Sequence, residues 1–181
     1  MLPAATGRGA MQDVDAVNLV LLMMRVGFGL MMAAHGYNHF FRGGKIAGTG
    51  RWFASLGMKP GKFHAVLASV TEIGAGFMFA AGLLTPFAAA GLIGTMTVAI
   101  GTWHRKNGFF IIKEGWEYVT LIIVVCIAVS TLGPGEWSID NGLDIVDNLS
   151  GWTGLILSSA IGIGMGLLTM AIFYRPPQKA S

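Results

Sequence analysis

Five apolar stretches constrain this chain more than any other feature, because each approaches the roughly 20 residues that a helix needs to cross a bilayer core. They run over 17–40, 63–84, 86–103, 115–132 and 152–173. In a chain of 181 residues they leave no room for a separate soluble domain. Only 12% of the residues are charged, against about 25% in a typical soluble domain, and the mean hydropathy is +0.64. So few charges could not cover a soluble fold, whereas lipid removes that requirement. Period-two alternation is absent, which argues against a membrane β-barrel. The fold class expected is all-α integral membrane.

The punctuation agrees with five spans. Pro60-Gly61 precedes the second, and Thr85-Pro86 makes a tight turn before the third, with proline suited to a first helical turn. Gly133-Pro134-Gly135 ends the fourth and Pro176-Pro177 the fifth. Charge then sets orientation. Arg42, Lys45, Arg51, Lys59 and Lys62 lie between spans one and two, Arg105, Lys106 and Lys113 between three and four, and Arg175 and Lys179 in the tail. Five spans bring these three regions to one side and leave Arg8 opposite them, with Arg25 inside a span. Asp13, Asp15, Glu136, Asp140, Asp144 and Asp147 sit on the side opposite the basic one. The N-terminus is therefore expected outside and the C-terminus in the cytoplasm, in a multi-pass protein of the cell inner membrane. The first sixteen residues or so lack a cleavable-signal pattern, so the first span is expected to stay in the protein. Juxtamembrane Lys and Arg already have a topological and anionic-lipid role, so membrane lipid is an expected partner and nucleic acid is not.

Ionisable residues inside spans carry the functional signal, because each costs about 2.5–3.5 kcal/mol on insertion scales unless paired or hydrated. Arg25 lies ~12 Å from the outer face and Glu72 ~13 Å from the cytoplasmic face at 1.5 Å per residue. In a core ~30 Å thick these depths differ by only ~5 Å, which predicts an Arg25–Glu72 ion pair near mid-membrane. Arg25, His35 and His39 fall within about an 80° arc of the first helix, so that face should look into the bundle. His104 ends the third span and Glu117 begins the fourth, both near the cytoplasmic end. Together these groups form a polar funnel from the cytoplasmic mouth toward Arg25 and Glu72.

A quinone site, a proton path and a haem site would each use such a funnel. A metal would want at least three convergent ligands, and no metal site is expected; haem between His35 and His104 is less favoured than a quinone. His39 and His64 are expected to be plain interfacial residues. Trp103, Phe109, Phe110, Trp116 and Tyr118 suit an aromatic belt better than a ring-binding cluster. The segment from Lys45 to Leu56 has a weak amphipathic pattern suited to a membrane surface. Ser158, Gly162 and Gly166 form a small-residue stripe, a surface for packing against the bundle or for a homo- or hetero-oligomer. The lone Cys126 excludes dithiol chemistry within the chain. No P-loop, dinucleotide fingerprint, serine triad or zinc signature is present, and no catalytic residue is assigned.

The order of short motifs resembles the DoxX family of membrane proteins. Arg25-x2-Phe28-Gly29 with His35-Gly36 and Phe40-Phe41 is similar to its first helix, and Trp52-Phe53-x2-Leu56-Gly57-Met58-x-Pro60 to its first loop. Glu72-x-Gly74-x-Gly76 before Gly82-Leu83-Leu84-Thr85-Pro86 resembles its second helix and turn. His104-x3-Gly108-Phe109, Glu117-Tyr118 and Gly133-Pro134-Gly135-x-Trp137-Ser138-Ile139-Asp140 continue the likeness. The resemblance implies a four-helix core over 17–140, preceded by a short extracytoplasmic segment over 1–16. An external loop with a fifth C-terminal transmembrane helix over 141–174 and a cytoplasmic tail over 175–181 would follow.

Members of that family are linked to oxidoreductase systems. The related DoxD is similar to a subunit of thiosulfate:quinone oxidoreductase, and some actinobacterial members resemble membrane anchors for soluble redox enzymes. Carried over, the ligand-binding or proton-relay set would be Arg25, His35, Glu72, His104 and Glu117. The expected function is a membrane subunit of an oxidoreductase system, holding a quinone-like or other small ligand. A scaffold recruiting soluble oxidoreductases at the cytoplasmic face, or a small-solute or proton transporter, are the alternatives. Internal inverted repeats, which would favour transport, are not visible.

Overall fold

Each apolar stretch becomes a helix. The computed structural model describes residues 7–177, with side chains from residue 13; Lys179 and the side chain of Arg8 lie outside the described residues. Helix α1 spans Gly7–Phe41, α2 Lys45–Leu56, α3 Gly61–Ala81, α4 Thr85–Thr102 and α5 Glu117–Leu132. Helix α6 spans Gly151–Phe173 and carries a π-helical segment over Leu157–Ile161. Short 3-10 turns at His104–Asn107 and Ile111–Lys113 link α4 to α5. Single helical turns at Ile139–Gly142 and Val146–Leu149 lie before α6. Among the described residues there is no strand beyond an isolated bridge between Met58 and Tyr174.

Four helices, α1, α3, α4 and α6, are long and apolar enough to cross a membrane. Helix α5 has 16 residues, or about 24 Å of helix, which falls short of a core ~30 Å thick. Helix α1 begins at Gly7, ahead of the expected start of the first span, and α2 has the bounds that its amphipathic pattern suggested. Helix α2 folds back onto α1 and α3, with the Thr49 hydroxyl donating to the carbonyl of His39 at 3.0 Å.

The helices run back and forth, so the loops gather at two ends. At one end the C-terminus of α6 is stitched to the α2–α3 junction. There Lys59 N donates to Phe173 O at 3.2 Å, and Arg175 N to Gly57 O at 2.8 Å. Arg42, Lys45, Arg51, Lys59, Lys62, Arg105, Lys106, Lys113 and Arg175 are all exposed at this end. At the other end the segment before α6 folds over the α3–α4 turn. Asp140 N donates to Gly82 O at 2.8 Å, and Glu136 N donates to Asn18 Oδ1 at 3.0 Å. The common end that the charge pattern demanded of the basic loops is therefore present in the fold.

Packing centres on α4, against which α3, α5 and α6 all lie, while α1 packs chiefly on α3. The core comprises residues such as Met32, Phe79, Leu92, Ile93, Ile122 and Val129. Ser158, Gly162 and Gly166 are buried. A Cβ on Gly162 would meet Ile93 Cβ at 2.7 Å, and one on Gly166 would meet Thr97 Cβ at 2.6 Å. The small-residue stripe packs on α4 of the same chain, the first of the two packing roles that the sequence allowed it. The absence of side chains lets the two backbones approach, as small residues do between membrane helices.

Gly162→Leu should overpack this contact and destabilise the protein by about 1–3 kcal/mol. Thermal unfolding in detergent reads the loss, and size-exclusion chromatography should show an unchanged oligomeric state.

Candidate functional site

Arg25 and Glu72, expected to pair, serve different ends of the molecule. Arg25 is fully buried. Its Nη1 donates to the carbonyl of Ala80 at 3.0 Å and its Nη2 to that of Trp137 at 2.7 Å. Asp140 adds a coulombic attraction. Its carboxylate accepts from Leu84 N at 2.6 Å, Thr85 N at 2.9 Å and Thr85 Oγ1 at 2.7 Å. That places a negative charge on the N-terminus of α4, where the helix dipole favours it. Gly82 sits between, at φ 65, and a Cβ there would run into the guanidinium and Ser138.

The ion-pair expectation fails for two physical reasons. Arg25 stands level with Ala80 at the end of α3, eight residues or ~12 Å of helix beyond Glu72. The acidic segment that follows α5 also folds back and supplies both a carbonyl and a charge. Arg25 is thereby a latch between α1, α3 and the Trp137–Asp140 segment, and it does not line the cavity described next.

A cavity of about 680 Å³ opens in the bundle, and all four histidines line it: His35, His39, His64 and His104. Glu72, Tyr118, Trp52 and Trp103 join them. Glu72 is 6% exposed, and its Oε2 has no hydrogen-bond partner among the described residues. The same holds for His64 Nε2. Glycine at position 36 lets α1 pass directly beside Glu72, since a Cβ there would lie 2.9 Å from Glu72 Cβ. The histidines are held in different ways. His39 lies near-parallel to Trp52, 6.4 Å between centroids at 15°. His64 meets the edge of Phe173 at 4.9 Å. His35 is 6.3 Å from the ring of Tyr118. His104 Nδ1 lies 2.6 Å from the carbonyl oxygen of Glu114. A carbonyl only accepts, so Nδ1 carries the proton and the Nε2 of the neutral ring is an acceptor.

Of the five candidates, then, the fold brings His35, Glu72 and His104 to one cavity and keeps Arg25 and Glu117 away from it. Glu117 Oε2 instead accepts from Ile111 N at 2.9 Å, fixing the turn before α5. His39 and His64, expected to be interfacial, line the cavity. The available signal for His64 was its spacing from Glu72: eight residues is about two turns, which puts both on one face of α3.

The aromatic belt also divides. Trp103 and Tyr118 face the cavity, whereas Phe109 and Trp116 pack edge-on to each other at 4.7 Å. Trp52, Phe53 and Leu56 of the amphipathic α2 also line the cavity. Among the described residues, no cluster of three or more His, Cys, Asp or Glu side chains could hold a metal ion. Cys126 is buried and free.

The DoxX family model matches residues 20–105, a stretch running from α1 through His104 and containing every histidine, Arg25 and Glu72. No curated protein and no solved structure matches the chain.

Asp140→Ala should cost about 3–5 kcal/mol, because it removes the charge that offsets a buried cation and the acceptor of three donors. Glu72→Gln, which replaces an oxygen without a partner among the described residues, should change stability by less than about 1 kcal/mol. Equilibrium unfolding in mixed micelles measures both.

Proposed function

This chain belongs to the DoxX family, and from that premise we propose that it is the membrane subunit of an oxidoreductase system, holding a quinone-like ligand in the histidine-lined cavity. The observation that carries the reading is a cavity of about 680 Å³ whose lining residues include Glu72 and His64, each with a buried polar atom, Glu72 Oε2 and His64 Nε2, that has no partner among the described residues. An unsatisfied buried polar atom costs about 1–3 kcal/mol, and a ligand in the cavity that bonded to these side chains would offset that cost.

Glutamate and histidine are side chains that either donate or accept, according to protonation. A quinone presents acceptors when oxidised and donors when reduced, so a wall of this composition serves both forms. Glu72 and His64 would bond the ring oxygens and hold or release the protons that accompany electron transfer. Trp52, Trp103 and Tyr118 supply the flat apolar surface that an aromatic ring prefers.

The same reading assigns the topology. Helix α5 is the fifth span, its short length met by local thinning of the bilayer. The basic end faces the cytoplasm and the acidic end the opposite side, in the inner membrane, by the excess of Lys and Arg in the loops. The exposed cations of the basic end form the surface on which a soluble oxidoreductase would dock.

Organic extraction of protein purified in mild detergent should yield a quinone in near-stoichiometric amount, and Glu72→Gln should lower its occupancy about tenfold. A ligand-free preparation that supports no electron transfer would sink the proposal.

A further inference from the structure

The cavity is continuous with a groove on the outside of the bundle. Its inner part, walled by α1, α3 and α5, holds His35, Glu72 and Tyr118. Its outer part has a floor of small residues on one face of α4, at Gly91 and Gly94. That groove runs between α3 and α6, both of which pack on α4. Its rim is apolar and open: Leu67 is 44% exposed, Phe87 44%, Ile161 39% and Met165 55%. All four lie in helices long enough to cross a membrane, so the opening at their level meets acyl chains rather than water. Ionisable groups lie toward the inner end, whereas the exposed rim is hydrocarbon and Thr71, Thr95 and Thr169 are the polar residues between.

We propose that the ligand is an amphiphile, a polar ring head carrying a long apolar tail, that loads sideways from the bilayer between α3 and α6. This rests on the reading that the cavity binds a ring ligand and adds its shape and its route. The head reaches Glu72 and His64, and the tail lies along the α4 groove past Leu67 and Met165. A small water-soluble ligand would have no use for a lipid-facing groove continuous with its site. The tail gains no hydrophobic free energy on leaving lipid for this groove, so the groove selects by shape and close packing.

The full-length protein in lipid nanodiscs distinguishes the possibilities. Two probes are needed: a dimethoxy-methyl-benzoquinone without a tail, and the same ring bearing a decyl chain. Bound probe is quantified by chromatography after subtraction of empty discs. The variant Leu67→Trp/Met165→Trp narrows the groove at two lipid-exposed positions where a large apolar side chain is tolerated, and thermal unfolding confirms that it folds. The variant should lose about tenfold in affinity for the decyl probe while binding the tailless probe as the parent does. Unchanged decyl binding, or an equal loss for both probes, would overturn the lateral route while leaving the ring-binding reading intact. Failure of both probes to bind the parent protein would overturn the two together.

Discussion

The arrangement depends on where one buried guanidinium spends its hydrogen bonds. Arg25 cannot be left unpaired inside a helical bundle, because a desolvated cation there costs several kcal/mol. It meets that cost at the acidic end, through the carbonyls of Ala80 and Trp137 and the field of Asp140. Asp140 in turn caps α4 through Leu84 and Thr85. One cation and one anion therefore fix the α3–α4 turn, the start of α4 and the segment leading to α6. With Arg25 committed there, Glu72, which lines the cavity, is left with an oxygen that has no hydrogen-bond partner among the described residues.

That division separates the latch at the acidic end from the cavity toward the basic end. The acidic end is held by short hydrogen bonds between segments distant in sequence, although Arg25 Nε and Asn18 Nδ2 have no partner among the described residues. The other end, toward the basic loops, collects the four histidines, Glu72, Trp52, Trp103 and Tyr118 around open space. Buried polar groups in native proteins are almost always satisfied; what distinguishes the second end is open space beside its unpartnered groups, which is the basis of the proposed ligand site. The stitching of α6 to the α2–α3 junction ties these helices together at the basic end, and the groove between α3 and α6 runs along the same cavity.

Much of this was legible in the sequence. Apolar length predicted membrane helices and loop charge predicted a shared basic end, because both follow from the dielectric of the bilayer rather than from any pairwise contact. The motif order predicted the family. Glu72, His35 and His104 were identified because ionisable groups in apolar runs stand out. The pairing was misjudged for Arg25, because depth along a helix says nothing about which distant loop folds back to meet a side chain. Trp137 and Asp140 read as an external, solvated loop, and only the fold brings them over Gly82. His64 was discounted because it sits near a span end, although its spacing from Glu72 put both on one face. The Gly162 stripe was readable as a packing surface, but no sequence feature chose α4 over a second subunit.

A double-mutant cycle on unfolding stability tests most directly whether Arg25 and Glu72 have separate duties. With Arg25→Gln and Glu72→Gln combined, the effects should add within about 0.5 kcal/mol, whereas Arg25→Gln with Asp140→Asn should show strong coupling. A coupling between Arg25 and Glu72 above about 1 kcal/mol would mean that the two charges hold each other, and that the carboxylate on the cavity wall is not free for a ligand.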